Sequence, residues 1–339
     1  MSDQSGQMWS RRRALQSSAL LGLGAWLPGM AEPRWREAAS LPVRVQEIYP
    51  CLHDGDLWVA GGLGPDAPSS QEGISDRVLR FGVEQNSWQE APGLPEPRHH
   101  GFLVSVGGGL LLFGGFIAAN GGRWSASLEV LRLAGGGWVR AGALQSAQCE
   151  TVTAVANGRV HLAGGRAPTG GSNADWNDQG DVDTHQVFDP ATAEIATAAP
   201  LPMARNSAAS FVIGNRWHVV GGRTVNSGNS ARHDVYDFTD RRWMDAAPMP
   251  QAQGGLAAAS IGSHGYVFGG EYFSASGGGV YSEVWDYDAN ADRWRDAGTM
   301  PVPRHGLGAV AIGGEIYVVA GATQAGGNGT SDRLSVFTP

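Results

Sequence analysis

A pair of glycines closes an apolar run again and again along this chain. The copies are Trp58-Val59-Ala60-Gly61-Gly62, Leu111-Leu112-Phe113-Gly114-Gly115, His161-Leu162-Ala163-Gly164-Gly165, His218-Val219-Val220-Gly221-Gly222 and Tyr266-Val267-Phe268-Gly269-Gly270. A sixth, Tyr317-Val318-Val319-Ala320-Gly321, has Ala320 at the first glycine position. The interval is about 50 residues, which marks a chain built by repeating one supersecondary unit. That constraint overrides the division into about two domains that length alone suggests. Glycine is needed where one backbone comes too close to another for a side chain to fit.

The fifth period shows what the unit contains. Leu256 to Ile261 alternates as a strand and ends in the turn Gly262-Ser263-His264-Gly265 before the diglycine strand. After a loop come Glu283-Val284-Trp285-Asp286-Tyr287-Asp288, the turn Ala289-Asn290-Ala291-Asp292 and Arg293-Trp294-Arg295-Asp296. Alternation with aromatic and β-branched residues marks strands, and Gly, Asn and Asp mark turns. Four antiparallel strands per period make a propeller blade. Trp88, Trp138, Trp243 and Trp294 recur at matching places, with Ile195 in the third repeat. These indoles are expected to pack between blades.

With its Tyr-Val-Phe-Gly-Gly strand, Val284-Trp285-Asp286-Tyr287-Asp288, Trp294 and Met300-Pro301-Val302-Pro303-Arg304-His305-Gly306, the chain resembles the kelch family. The resemblance implies an all-β, six-bladed kelch-type β-propeller over residues 32–339. The sixth repeat stops at Leu334-Ser335-Val336-Phe337, its third strand. Pro33-Arg34-Trp35-Arg36-Glu37 is expected to supply the fourth and so close the last blade, leaving no unpaired edge.

Residues 1–31 read as a leader. Ser10-Arg11-Arg12-Arg13 precedes an apolar run at 19–27, with small residues before a cleavage point after Ala31. The start resembles a twin-arginine signal. The expected location is therefore periplasmic or secreted, with no membrane span after cleavage, since the run is too short to cross. Cys51 and Cys149 fall in different repeats and are expected as free thiols. A net charge of −8, with no basic run beyond the leader, argues against a nucleic-acid partner.

In a meander of this kind the long loops between second and third strands share a face with the connections between blades. Functional residues concentrate on such loops. The connections enter their inner strands at Gln46-Glu47, Arg98-His99-His100, Gln148-Cys149-Glu150, Arg205-Asn206, Gln253 and Arg304-His305. Directly after the diglycines stand Leu63, Phe116, Arg166, Arg223, Glu271 and Ala322. The candidate ligand-binding set is Arg98, His99, Glu150, Arg166, Arg205, Arg223, Glu271, Arg304 and His305. Trp124, Trp176, Tyr272, Phe273 and Tyr281 form a candidate aromatic rim. Arginine beside carboxylate suits a polyhydroxylated or anionic ligand held by bidentate contacts. The same groups are equally expected to pair across blades, because an unpaired buried charge is costly. His161 and His218 fill the slot held elsewhere by Trp58, Tyr266 and Tyr317, and are expected as packed strand residues.

No metal is expected. His99, His100 and His305 lack a metal-binding spacing, and one blade separates them. Residues 175–183 resemble a calcium loop in their oxygens, but Gln186 stands where a bidentate Glu is needed, so a solvated acidic loop is expected. Likeness to the galactose oxidase propeller implies copper held by a Tyr-Cys cross-link, a second Tyr and two His. Cys149 has no inner Tyr-His pair to accompany it, so no cofactor is expected. Sialic-acid mutarotases, also exported six-bladed kelch proteins, use an inner Glu with an Arg, which Glu271 with Arg223 or Arg304 would imitate. The leading expectation is a binding module for a carbohydrate or a partner protein. The alternatives are a cofactor-free carbohydrate-active enzyme of mutarotase or epimerase type, or an accessory subunit of an exported oxidoreductase. Full pairing of Glu47, Glu150 and Glu271 would weigh against the enzyme.

Overall fold

The apolar runs before the diglycines become strands buried on both faces. Asp56–Ala60, Gly109–Phe113, Arg216–Val220, His264–Phe268 and Glu315–Val319 each bury four consecutive residues. Continuous rather than alternating hydrophobicity is what a strand covered on both sides requires. The computed structural model describes residues 34–68, 73–275 and 277–339. Among these, each such strand is the second of a four-stranded antiparallel sheet, and there are six of these sheets. The first contains Cys51–His53, Asp56–Ala60, Val78–Gly82 and Ser87–Ala91. The fifth contains Ala257–Ile261, His264–Phe268, Glu283–Asp288 and Arg293–Thr299. The first strands of all six line one cavity of about 510 Å³. No helix of the described residues is long and apolar enough to cross a membrane. The leader expected at 1–31 lies outside the described residues.

The diglycines sit where the next repeat enters. Gly61 has φ +66°, and a Cβ there would lie 2.1 Å from the carbonyl oxygen of Arg98. At Gly269 the same atom would lie 2.0 Å from the carbonyl of Arg304. No side chain fits either place. Ala320, in the sixth copy, keeps the left-handed conformation at φ +57°, at a cost of about 1–2 kcal/mol.

The recurrent indoles tie four of the sheets, each to the one before it. Trp88 Nε1 donates to the Ala39 carbonyl, Trp138 to Pro92, Trp243 to Ala199 and Trp294 to Ala247, at 2.7–2.8 Å. In the sixth sheet the position belongs to Trp35, on the N-terminal strand. Arg34–Glu37 pairs antiparallel with Leu334–Thr338 in the register Trp35 to Phe337, and Trp35 packs on Phe337 and Phe268 at 5.0 and 5.9 Å between ring centroids.

The entry segments carry a second regularity. Glu47, His100, Glu150, Ser207, Gly255 and Gly306 all have φ between +48° and +70°. Backbone hydrogen bonds run between them: Glu47 N to Gly306 O (2.7 Å), His100 N to Glu47 O (3.0 Å), Ser207 N to Glu150 O (3.1 Å), Gly255 N to Ser207 O (2.9 Å) and Gly306 N to Gly255 O (3.0 Å). At five of the six junctions these bonds link consecutive sheets backbone to backbone at this end.

Candidate functional site

The two segment types singled out in the sequence meet in the backbone. Gln46 bridges to Leu63, Cys149 to Arg166, Asn206 to Arg223, Gly254 to Glu271 and His305 to Ala322, while His99 pairs with Phe116. In each entry the residue that makes this bridge is followed by the left-handed one. On this side lies a cavity of about 760 Å³. Glu47, Asn206, Arg223 and Glu271 belong to its charged and polar lining. Trp124, Trp176, Tyr272, Phe273 and Tyr281 all line it as well.

Arg223 Nη1 lies 2.5 Å from Glu271 Oε1. Glu271 Oε2 accepts from the Gly326 amide at 2.7 Å and faces His305 Nδ1 at 3.4 Å. His305 Nε2 lies 2.9 and 3.0 Å from the carbonyls of Gln324 and Gly326. A carbonyl only accepts, so the proton is on Nε2. A second chain runs from Glu47. Its Oε2 is 2.9 Å from His100 Nε2, and His100 Nδ1 is 2.7 Å from His99 Nδ1. His99 Nε2 donates to the Arg123 carbonyl at 2.8 Å, so its Nδ1 accepts. His100 then donates through Nδ1, and its Nε2 faces the Glu47 carboxylate. Burial pushes the Glu47 carboxyl up, but the charge and hydrogen bond of His100, with His305 and Arg223 behind, hold it far below the usual range. His99 is pushed well below its ordinary value by burial and by His100. Burial also works against the Arg223 charge, yet Glu271 and Glu150 leave it raised.

One blade does stand between His100 and His305, but its Glu47 carboxylate reaches both. His305 Nδ1 is 3.9 Å from Glu47 Oε1, so both rings approach the one carboxylate. Residues 175–183 are largely open to solvent, as expected, with Asp175, Trp176, Asn177 and Asp183 exposed, but two of their carboxylates are engaged. Asp178 Oδ2 accepts from the amides of Ala174 and Asp175 and from Ser172, and Asp181 accepts from Asn206 and the Val225 amide. Asp178 thus holds its own loop, and Asp181 ties it to the loops of the next repeat.

Arg223 and Glu271 line the cavity, with His305 and His99 placed as above. Glu150 and Arg166 form a supporting pair at 3.4 Å. Arg166 Nη2 donates to the carbonyls of Trp176 and Gln179 at 2.9 Å, and its guanidinium carbon lies 4.0 Å from the Trp176 ring centroid. Glu150 Oε2 accepts from Ser207 at 2.7 Å. Arg98, Arg205 and Arg304 turn back into their sheets. Arg98 binds the Gly114 carbonyl and Glu129, both at 3.0 Å. Arg205 binds the carbonyls of Gly221 and Val219, and Asp234 at 2.8 Å. Arg304 donates to Ala320, Val302 and Val318 at 2.8–3.2 Å, and burial pushes it down to about 10 against the pull of Glu37. Gln148 and Gln253 do the same with Gly164 and Gly269. Arg304→Ala is expected to orphan these buried carbonyls and cost about 3 kcal/mol, read as a lower urea midpoint. An unchanged midpoint would contradict the role. Arg123 and Asn229 also line the cavity; both stand in loop hairpins, where the repeat pattern gives no signal.

Cys51 and Cys149 are free, and burial raises both thiols, Cys51 to about 12.

No family model matches the chain. It is 33% identical over 148 residues to Kelch-like protein 34 of Homo sapiens, covering 42% of this chain and 23% of that protein. It is 28% identical over 292 residues to Kelch-like protein terF of Aspergillus terreus, covering 83% and 62%. The chain thus spans less than two thirds of either relative. Among solved structures, one described as the structure of YjhT superposes with a TM-score of 0.75 at 18% identity, covering 88% of this chain and 96% of that one. These likenesses support a kelch-repeat family and an all-β, propeller-like architecture.

Proposed function

We propose that the six sheets close into one six-bladed kelch-type propeller, and that the protein binds a carbohydrate in the 760 Å³ cavity over its loop face. The carrying observation is the joint lining: the Arg223–Glu271 pair with Asn206 and Asn229, walled by five aromatic side chains. Such a volume suits a small ligand, with a few polar groups fixing its orientation. Charge-assisted donors and acceptors read hydroxyls, and flat rings cover the apolar face of a sugar.

The enzyme reading ranks second. Glu47, Glu150 and Glu271 are each engaged, by His100, Arg166 and Arg223, so none stands as a free base. A partner protein is favoured by one observation: Phe273 and Tyr272 are 65% and 42% exposed at the mouth.

The test is a thermal-shift panel of sugars, since a ligand that binds only the folded state raises the midpoint. Tyr272→Ala is expected to leave the unliganded midpoint unchanged, and Arg223→Ala to weaken binding about 10- to 100-fold. A panel without any shift would remove the carbohydrate reading. Polarimetry on a reducing sugar tests the mutarotase alternative, and co-purification of an oxidoreductase the accessory one. Export through residues 1–31 to the periplasm or medium belongs to the same proposal. Met1 retained on soluble cytoplasmic protein would refute it.

A further inference from the structure

Arg123 and Trp124 line two cavities, not one. The second, about 460 Å³, is completed by Ala118, Gly121, Gly122 and Asp175. We infer that the ligand is a neutral oligosaccharide of at least two units, the second seated over Gly121 and Gly122 between Arg123 and Asp175. This rests on the carbohydrate reading above and extends it.

Three observations carry the inference. Each cavity falls in the range of small-molecule sites, about 300–1,000 Å³, and Arg123 and Trp124 line both, so a ligand that passes these two side chains reaches from one to the other. That wall is rigid. Trp124 stands edge-on to His99 at 4.7 Å and packs on Phe116 at 5.1 Å. Its amide donates to the Ala174 carbonyl at 2.9 Å, and its own carbonyl accepts from Gln179 at 3.0 Å. A ring already fixed loses little freedom when a sugar stacks on it. The second cavity, finally, offers unspent polar groups. The Arg123 carbonyl is taken by His99, but its exposed guanidinium has no partner recorded among the described residues. Asp175 is exposed beside it, and at Gly121 even a Cβ would meet nothing within 4 Å. A cation and a carboxylate across a glycine floor suit hydroxyls, which donate to one and accept from the other. Asp175 also opposes an anionic group in this place.

The experiment is isothermal titration of the protein with glucose, galactose and N-acetylglucosamine, each as monomer, β-1,4 dimer and tetramer. In the series that binds, the dimer is expected to bind about tenfold more tightly than the monomer. Ala118→Trp fills the second cavity from an exposed position and is expected to abolish that gain while leaving monomer affinity unchanged. Asp175→Ala gives the same readout should the first variant fail to fold. Equal affinity for monomer and dimer, or a gain that survives both variants, overturns this inference alone. Binding of no member of any series overturns the carbohydrate reading and this inference with it.

Discussion

Removal of residues 34–40 is expected to cost on the order of 5 kcal/mol of folding stability. Four residue pairs of the antiparallel ladder to Leu334–Thr338 vanish, with hydrogen bonds worth about 1 kcal/mol each. The contact of Trp35 with Phe337 and Phe268 goes too, for about 2 kcal/mol at half burial. The Arg36–Glu315 pair at 2.6 Å is exposed and adds little. What remains is a long strand edge with Phe337, fully buried in the intact chain, uncovered beside it. Such an edge invites pairing with other chains. Urea denaturation and light scattering read both effects. A truncated protein that unfolds at the same midpoint and stays monomeric would contradict the role given to this strand.

Lowering the pH from 7 to 4 is expected to remove about 5 kcal/mol. Two buried histidine pairs set this window. His161 Nδ1 donates to His185 Nε2, and His218 Nδ1 to His233 Nε2, each at 2.9 Å, while His185 and His233 hold the carbonyls of Ala199 and Ala247 through Nδ1. Burial pushes all four down, His161, His185 and His233 to about 4 and His218 to about 3. The partner ring and Arg159 add to this at His161, and the partner ring and Arg216 at His218, where Asp292 opposes it. Unfolded histidine titrates near 6.5. The unfolded chain therefore takes up protons that the folded chain refuses, and stability falls as pH drops from about 6.5 to about 4. Counting one ring per coupled pair gives about 3 kcal/mol for each, less at the half-buried His161. His161→Tyr with His218→Tyr, the residue used at 266 and 317, should soften the profile without abolishing it, because His185 and His233 are pushed down by their own burial. A urea midpoint constant between pH 7 and 4.5 in the parent would sink the idea.

The repeat was legible because its spacing rules are backbone rules. Diglycines, indoles and turns recur where strands end or sheets touch, and those places look alike in every period. The identity of the arginines was not legible. Arg98, Arg205 and Arg304 stand one residue before the bridging position, and Arg223 at a bridging position. Alternation sends neighbouring side chains to opposite sides, so the first three reach back to their own carbonyls and the fourth meets the cavity. An entry segment read as a cluster hides that phase. His161 and His218 were read as packing residues, and the structure adds what packing alone did not supply: their partners His185 and His233 come from the third strands of the same sheets. Arg123 and Asn229 fall in hairpins whose lengths vary between periods, so no repeat register points to them.

The left-handed entry positions have an evolutionary consequence. At 255 and 306 the fold uses glycine, for which that conformation is free; at 47, 100 and 150 it holds Glu, His and Glu in the same conformation. Each of those three carries a backbone penalty of about 1 kcal/mol that glycine would relieve. Drift toward stability alone would therefore empty these sites of side chains. Among descendants of a common ancestor, the side chain at 47, which lines the cavity, should follow what each protein holds there, at a cost in backbone strain that glycine would not carry.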